Sequence, residues 1–408
     1  MKERIIFHID VNNAFLSWSA ILYLKDGYKK DIREIPAVIG GSEKSRHGIV
    51  LAKSIPAKKK GVVTAEPIYQ AKKKCKTLEV YPPDYRWYYK KSYELMNYLK
   101  QYSPLIEQYS VDECFLDMSG MDYIYKDYIK LAHDIKDEIK EKFGYTVNIG
   151  IGNNKLCAKM ASDFEKPNKV HTLFKDEIAK KMWPLPVGDL FMVGKQSTKL
   201  LNSIGIKTIY DLAKYDEKKL KKHFKNQTEH LKNSALGIDE SKVTPRSNIT
   251  TSISITETLP YDIDDQDKLK EILFRQTEEV TRQLREQKQY TKTVAIIYKN
   301  SNFINYSAQA KLPNPTDNTK TIYKKVIDIF NKSYKEDPIR LIGVRLAELS
   351  KTKKQQLSLF EEDEDIKDTE IQKTVDKINK KFGAASVMPA SLKVIGRSRN
   401  KKQFKDRK

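Results

Sequence analysis

The sequence predicts an α+β chain of several domains. Three observations predict it. Strand and helix patterns alternate over the first ~170 residues, the mark of a mixed sheet-and-helix unit. Strand signals then vanish between about 171 and 240. A β-α-β-β-α-β order follows over 248–350, the pattern of a split βαβ domain. At roughly 100–200 residues per domain, 408 residues suit such a division.

Residues 4–11 read as a buried strand, apolar except for His8 and Asp10. Asn12 and Asn13 would cap a helix with apolar face Ala14, Phe15, Trp18, Ile21 and Leu22, stopped by Gly27. A basic stretch runs to about Lys76, and 85–101 reads as a Tyr-rich helix whose tyrosines fill a core. Two short strands over 106–118 meet at Asp112-Glu113, a helix covers 122–143, and strand 146–152 leads into helix 153–164. Residues 187–215 read as short helices around Gly205. In the last ordered set the expected elements are strand 249–257, helix 266–288, strands 292–298 and 303–310, helix 318–333 and strand 340–349. An acidic block over 361–370 and a basic end follow.

Composition narrows the function. Lys and Arg number 76 against 54 Asp and Glu, a net charge of +22, which points to a polyanionic partner, nucleic acid first. No apolar run is long enough to span a bilayer, so no membrane partner is expected. The charged N-terminus argues against secretion, and Cys75, Cys114 and Cys157 read as reduced core thiols of a cytoplasmic protein.

Two features carry chemistry. Asp10 ends a strand, and Asp112 and Glu113 sit at a strand turn. Each alone is most simply a cap or turn residue. If the strands are neighbours, three carboxylates converge with no basic partner nearby in sequence, and they would repel unless a divalent cation joined them. Hard oxygen ligation suits Mg²⁺, and a pair of such ions can activate a hydroxyl and stabilise a pyrophosphate leaving group. Gly150-Ile-Gly-Asn-Asn-Lys155 leads from strand to helix N-terminus, a candidate anion site, with Lys155, Lys159 and Lys166 beside it. A solvated basic face is the alternative.

Asp10-Val-Asn-Asn-Ala-Phe15, Ser110-Val-Asp-Glu-Cys-Phe-Leu-Asp117 and the run from Gly150 to Pro167 together resemble the Y-family translesion DNA polymerases, in particular the bacterial UmuC/DinB-like enzymes. The resemblance covers nearly the whole chain. It implies a right-hand polymerase: a ferredoxin-like palm (1–20 and 77–170), small fingers (21–76), a helical thumb with a helix-hairpin-helix (171–240), a linker (241–247), a βαββαβ little finger (248–350) and a tail (351–408). It also implies low-fidelity, template-directed extension of primers past damaged bases. Asp10, Asp112 and Glu113 match the catalytic metal carboxylates, with the Val11 carbonyl as a further ligand of two Mg²⁺ ions. Asn13, Ala14, Phe15, Lys58 and Lys166 match the nucleotide site, Phe15 as the steric gate and Lys166 as a triphosphate contact. Lys58 and Ile55 stand where many relatives have Arg and Tyr, and Asn12 and Asn13 replace the more usual residues after the catalytic Asp. Lys155, Lys159, Gly194 and Gly205 are the expected DNA contacts. Gln356, Leu357, Leu359 and Phe360 match a sliding-clamp (beta subunit) motif. The implied partners are primer-template DNA, dNTPs and the clamp, and a monomer is expected. A non-catalytic DNA-binding scaffold and another palm-type nucleotidyltransferase or cyclase are the competing readings.

Overall fold

The structure is a computed structural model that describes residues 4–41, 48–245 and 250–352, with a few more between 371 and 387. The clamp-like segment 356–360 and most of the tail lie outside the described residues. Residues up to 245 form one compact unit and those from 250 on form another.

The first unit is built on β1 (Ile6–Val11), whose six residues are all buried. After α1 (Ala14–Lys25) the chain makes β2 (Ala37–Gly40), β3 (Val50–Lys53), α2 (Ile55–Lys59), α3 (Ile68–Lys74) and β4 (Glu79–Tyr81). It then returns through α4 (Tyr85–Leu99), β5 (Ile106–Gln108), β6 (Glu113–Asp117), α5 (Tyr128–Phe143), β7 (Val147–Gly152), α6 (Lys155–Asp163) and β8 (Val170–Leu173). The main sheet has the order β5-β6-β1-β7-β8. Its first four strands are antiparallel neighbours, so β1 and β5 run parallel with β6 between them, and β6 and β7 run parallel with β1 between them. These are two interleaved split βαβ units with β1 and β6 at the centre. Phe7, Ile9, Trp18, Leu95, Ile135 and Ile149 fill the core beneath the sheet.

Strands β2, β3 and β4 form a second sheet with its own core of Val38, Val50, Val62 and Ile68. The basic stretch gave no hint of it, because strands of three or four residues are too short for a period-2 signal. For the same reason β8, a short edge strand, escaped notice at the start of the supposedly strand-free region. Helix α5 starts at Tyr128 and not at 122, because the Asp127 side chain accepts hydrogen bonds from the Ile129 and Lys130 amides and caps it there. The unit ends in short helices α7 (Ile178–Lys181), α8 (Lys195–Ser203), α9 (Ile209–Lys214), α10 (Glu217–Phe224) and α11 (Thr228–Ala235), packed around Met182, Leu201, Ile206, Leu212 and Leu220.

The second unit contains β9 (Ser252–Ile263), α12 (Gln266–Glu286), β10 (Tyr290–Asn300), β11 (Asn305–Thr316), α13 (Thr319–Ser333) and β12 (Ile339–Ser350). The β-α-β-β-α-β order is as expected, but the sheet order β11-β10-β12-β9 puts the second and fourth strands at the centre. In the first unit the first and third are central, so the two units share connectivity without sharing strand order. Strands β9 and β11 run past Pro260, Pro313 and Pro315, further than expected. Both are edge strands, where a missing N–H costs the ladder little.

Helix α6 lies against β7 because Gly150 and Gly152 carry no side chain. A Cβ on Gly150 would sit 2.0 Å from the Ala158 carbonyl oxygen and 2.4 Å from the Ser162 nitrogen. Gly150→Ala is therefore expected to cost about 3 kcal/mol or more in urea unfolding. Gly194 has ordinary φ and open space around it, so Gly194→Ala should cost about 1 kcal/mol or less. Equal costs would contradict the packing assigned to α6.

Candidate active site

The site lies where β1 ends and β6 and β7 begin. Asp10 is register-paired with Glu113 on β6 and with Asn148 on β7. Asp112 precedes β6, and its carbonyl accepts the Val11 amide at 3.1 Å. The three acids predicted from sequence are thus neighbours, as the converging-strand reading required. Asp112 is turned aside locally, with Ser110 Oγ donating to its Oδ1 at 2.6 Å.

No basic residue is near the three acids in sequence, but the fold brings two lysines to them. Lys166 Nζ is 2.5 Å from Asp10 Oδ2 and 2.8 Å from Asp163 Oδ1. Lys159 Nζ is 2.6 Å from Glu113 Oε1, 3.1 Å from Asp163 Oδ2 and 3.6 Å from Asp10 Oδ2. Neither contact with Asp10 or Glu113 is local in sequence, so no spacing rule could reveal it. Lys159 is not on a solvated basic face: its side chain is only 10% exposed. Lys155 is likewise engaged, with Nζ 2.7 and 2.8 Å from the two Glu107 oxygens.

The electrostatics follow from burial. Burial raises the Asp10 carboxyl above its ordinary value, Lys166 and Lys159 pull it back, and Glu113 pushes it up again. Burial also raises Asp112, against the pull of the Ser110 bond. For Lys159 and Lys166 burial works against the charge, yet their acidic neighbours prevail and hold both above the usual lysine value. His8, fully buried behind Glu113, is held well below its ordinary value by burial first and the two lysines next. Its Nδ1 lies 2.8 Å from Ser162 Oγ, and Nε2 is 3.9 Å from Glu113 Oε1. Sequence reasoning passed over His8, Asp163 and Asn148; only the polarity of His8 within an apolar strand marked any of them.

Among the described residues no three His, Cys, Asp or Glu side chains form a ready-made metal cage. The donor chemistry nevertheless fits a hard divalent cation: carboxylates from Asp10, Asp112 and Glu113 beside the Val11 main chain, with ammonium groups already holding positive charge on two of the acids.

Of the nucleotide-site candidates, Asn13, Ala14 and Phe15 follow directly on β1, and Lys166 reaches Asp10. Asn13 has a left-handed backbone, φ 51°, and its amide donates to the Lys53 carbonyl at 2.7 Å, tying α1 to β3. Ala14 is buried. Phe15 is half-buried and stacks on Tyr88, ring centroids 4.7 Å apart and planes 20° apart. Tyr88 is core, as expected of this helix, but Tyr85, Tyr89 and Tyr93 are exposed. Lys58 lies exposed on α2, and its charge, after burial, helps lower the pKa of Lys53.

The candidate anion site at the start of α6 is not available. Asn154 caps it by accepting from the Cys157 amide, and Asp239 Oδ2 takes the Leu156 amide at 3.1 Å. Gly150 and Gly152 serve packing. Gly194 and Gly205 flank α8; Gly205 has φ +90° and Gly194 is the N-cap. Gly188, Gly194, Lys195, Lys199 and Lys207 line a surface depression there.

No helix among the described residues is long and apolar enough to cross a membrane. Cys75, Cys114 and Cys157 are buried and unpaired with one another.

Residues 9–163 match the impB/mucB/samB family, and residues 250–359 match its C-terminal domain. The chain is 46% identical over 390 residues to DNA polymerase IV of Clostridium acetobutylicum, covering 96% of this chain and 98% of that one. It is 33% identical over 416 residues to DNA polymerase IV 1 of Bacillus subtilis, covering 100% and 99%. Among solved structures, a Y-family DNA polymerase chimera of Dbh and Dpo4 shares the fold with a TM-score of 0.72 at 22% identity, covering 84% of this chain and 98% of the chimera. DinB from Sulfolobus solfataricus gives 0.57 at 22%, with the same coverage. The chain belongs to the impB/mucB/samB family of bacterial Y-family polymerases and is a DNA-directed DNA polymerase of the translesion class.

Proposed function

We propose that the chain extends primers past damaged template bases with Asp10, Asp112, Glu113 and the Val11 carbonyl holding two Mg²⁺ ions. The observation that carries this is the cross-strand pairing of Asp10 with Glu113, with Asp112 adjoining, at the end of a buried central strand. Two such ions supply the Lewis acidity that activates a 3′-hydroxyl and neutralises the departing pyrophosphate. The remaining work belongs to the protein. Lys166, with a side chain 36% exposed, turns from Asp10 to the triphosphate of the bound dNTP. Lys159 stays beneath and keeps the acids from repelling one another. Phe15, braced by Tyr88, is the floor under the sugar and the steric gate, next to Asn13 and Ala14. Lys58 supplies a point charge to the phosphates without the planar fork of an arginine.

In this reading the palm is 1–20 and 77–170, the fingers 21–76, the thumb 171–240 and the little finger 248–350. Gly194 and Gly205 let backbone amides of the thumb approach the primer-template, a grip that ignores sequence. Gln356, Leu357, Leu359 and Phe360 bind the sliding clamp, and the enzyme works as a cytoplasmic monomer. A scaffold without chemistry is disfavoured by the polymerase relatives, and it would gain nothing from buried acids beside DNA.

Three outcomes test the reading. Asp10→Ala should lower primer extension by about a thousandfold or more while primer-template binding persists; near wild-type extension would remove the site. Phe15→Ala should raise ribonucleotide incorporation with dNTP use retained, measured side by side. If Phe15 only packs, both activities should fall together with a loss of about 3–5 kcal/mol in stability. Lys159→Met should destabilise the metal-free protein by about 3–5 kcal/mol, since it strands buried acids. Adding Glu113→Gln should recover part of that loss, and unchanged unfolding midpoints in the single variant would refute the pairing.

A further inference from the structure

Lys166 sits on the turn after α6, and something must hold that turn over Asp10. The structure shows a buried relay of two amides. Asn148, on β7 and fully buried, uses every hydrogen-bonding group it has. Its Nδ2 donates to the Ser162 carbonyl at 3.0 Å and the Glu165 carbonyl at 2.6 Å. Its Oδ1 accepts from Asn12 Nδ2 at 3.1 Å and from the Lys169 amide at 3.2 Å. Asn12, 9% exposed, accepts with Oδ1 from the Asn168 amide at 2.8 Å and from Thr146 Oγ1 at 2.9 Å. Asn168 has φ 62°, a left-handed conformation that asparagine tolerates.

The turn is therefore fastened on both sides of Lys166: at Ser162 and Glu165 before it, and at Asn168 and Lys169 after it. All four attachments end on two side chains that flank Asp10, Asn148 as its register partner on β7 and Asn12 two residues after it, just past the end of β1. We infer that Asn148 and Asn12 are positioning residues that set the 163–169 turn, and through it the reach of Lys166. This rests on the reading of Lys166 as the triphosphate lysine.

The chemistry demands an amide at 148. A carboxylate of the same shape would face two carbonyl oxygens with no hydrogen to offer, the costly case of unmatched buried acceptors. Asn12 differs in part: Asp would keep the oxygen that makes the contacts to the turn, but would set its second oxygen against Asn148 Oδ1, which the Asn12 Nδ2 now serves.

The test uses the full chain. Amide hydrogen exchange at Asn168 and Lys169 is compared among wild type, Asn148→Asp, Asn12→Ala and Asn12→Asp, with α5 amides as the control. Single-nucleotide insertion then gives KM for dNTP and kcat. Asn148→Asp should speed exchange at both amides and raise KM about tenfold with a smaller change in kcat. Asn12→Ala should release the Asn168 amide, and Asn12→Asp should restore part of its protection. The KM effect of Asn148→Asp should shrink towards nothing in a Lys166→Ala background. Unchanged exchange at Asn168 and Lys169 would overturn the inference, as would KM effects that add in full. If exchange responds but Lys166→Ala itself leaves KM unchanged, the turn is held as described and the triphosphate role of Lys166 is wrong. Should Asn148→Asp fail to fold, the Asn12 pair decides the question.

Discussion

A carboxylate at the end of a fully buried strand stays charged only if the protein brings a cation to it. Asp10 is in that position, and much of the first unit is arranged around meeting its demand. Two lysines do so, both carried by the segment that follows β7. Lys159 comes from α6, which reaches the sheet because β7 has glycine at 150 and 152. Lys166 comes from the turn beyond, which the Asn148–Asn12 pair fastens to β7 and β1. Asp163 accepts from both lysines and joins them into one cluster. The arrangement suits the proposed reading, in which the acids accept metal and Lys166 meets phosphate, because Asp10 and Lys166 each already have a partner to exchange.

The two units show how one connectivity yields different uses. In the first, the central strands β1 and β6 end at the acids, so the best-buried part of the sheet aims the reactive groups. In the second, the central strands β10 and β12 are packing strands, with Val294, Ile296, Ile342 and Val344 in the core. On the edge strand β11, Asn305, Ser307, Gln309 and Lys311 are exposed in alternation.

Much of this was legible in the sequence. Asp10 at a strand end and Asp112-Glu113 at a strand turn announced the acids, because strand periodicity and turn chemistry are local. The β-α-β-β-α-β order of the second unit was legible for the same reason. Its strand order was not, since pairing between distant strands leaves no local trace. The sheet of β2, β3 and β4 was hidden by the shortness of its strands. Lys159 and Lys166 were visible as lysines, but their partners were not. Asn12 looked like an unexplained departure until Asn148 was found opposite it. The glycines of 150–152 suggested a phosphate loop, whereas they serve the approach of a helix to a strand.

The central claim is that the Lys166–Asp10 pair stands in for substrate and metal. A structure with primer-template, Mg²⁺ and a non-hydrolysable dNTP tests it most directly. The expected result is that Asp10 exchanges Lys166 for metal, that Glu113 binds metal with Lys159 still beneath it, and that the Lys166 ammonium moves to within hydrogen-bonding distance of a phosphate oxygen. A Lys166 that stays on Asp10 while the nucleotide is bound and aligned would contradict it.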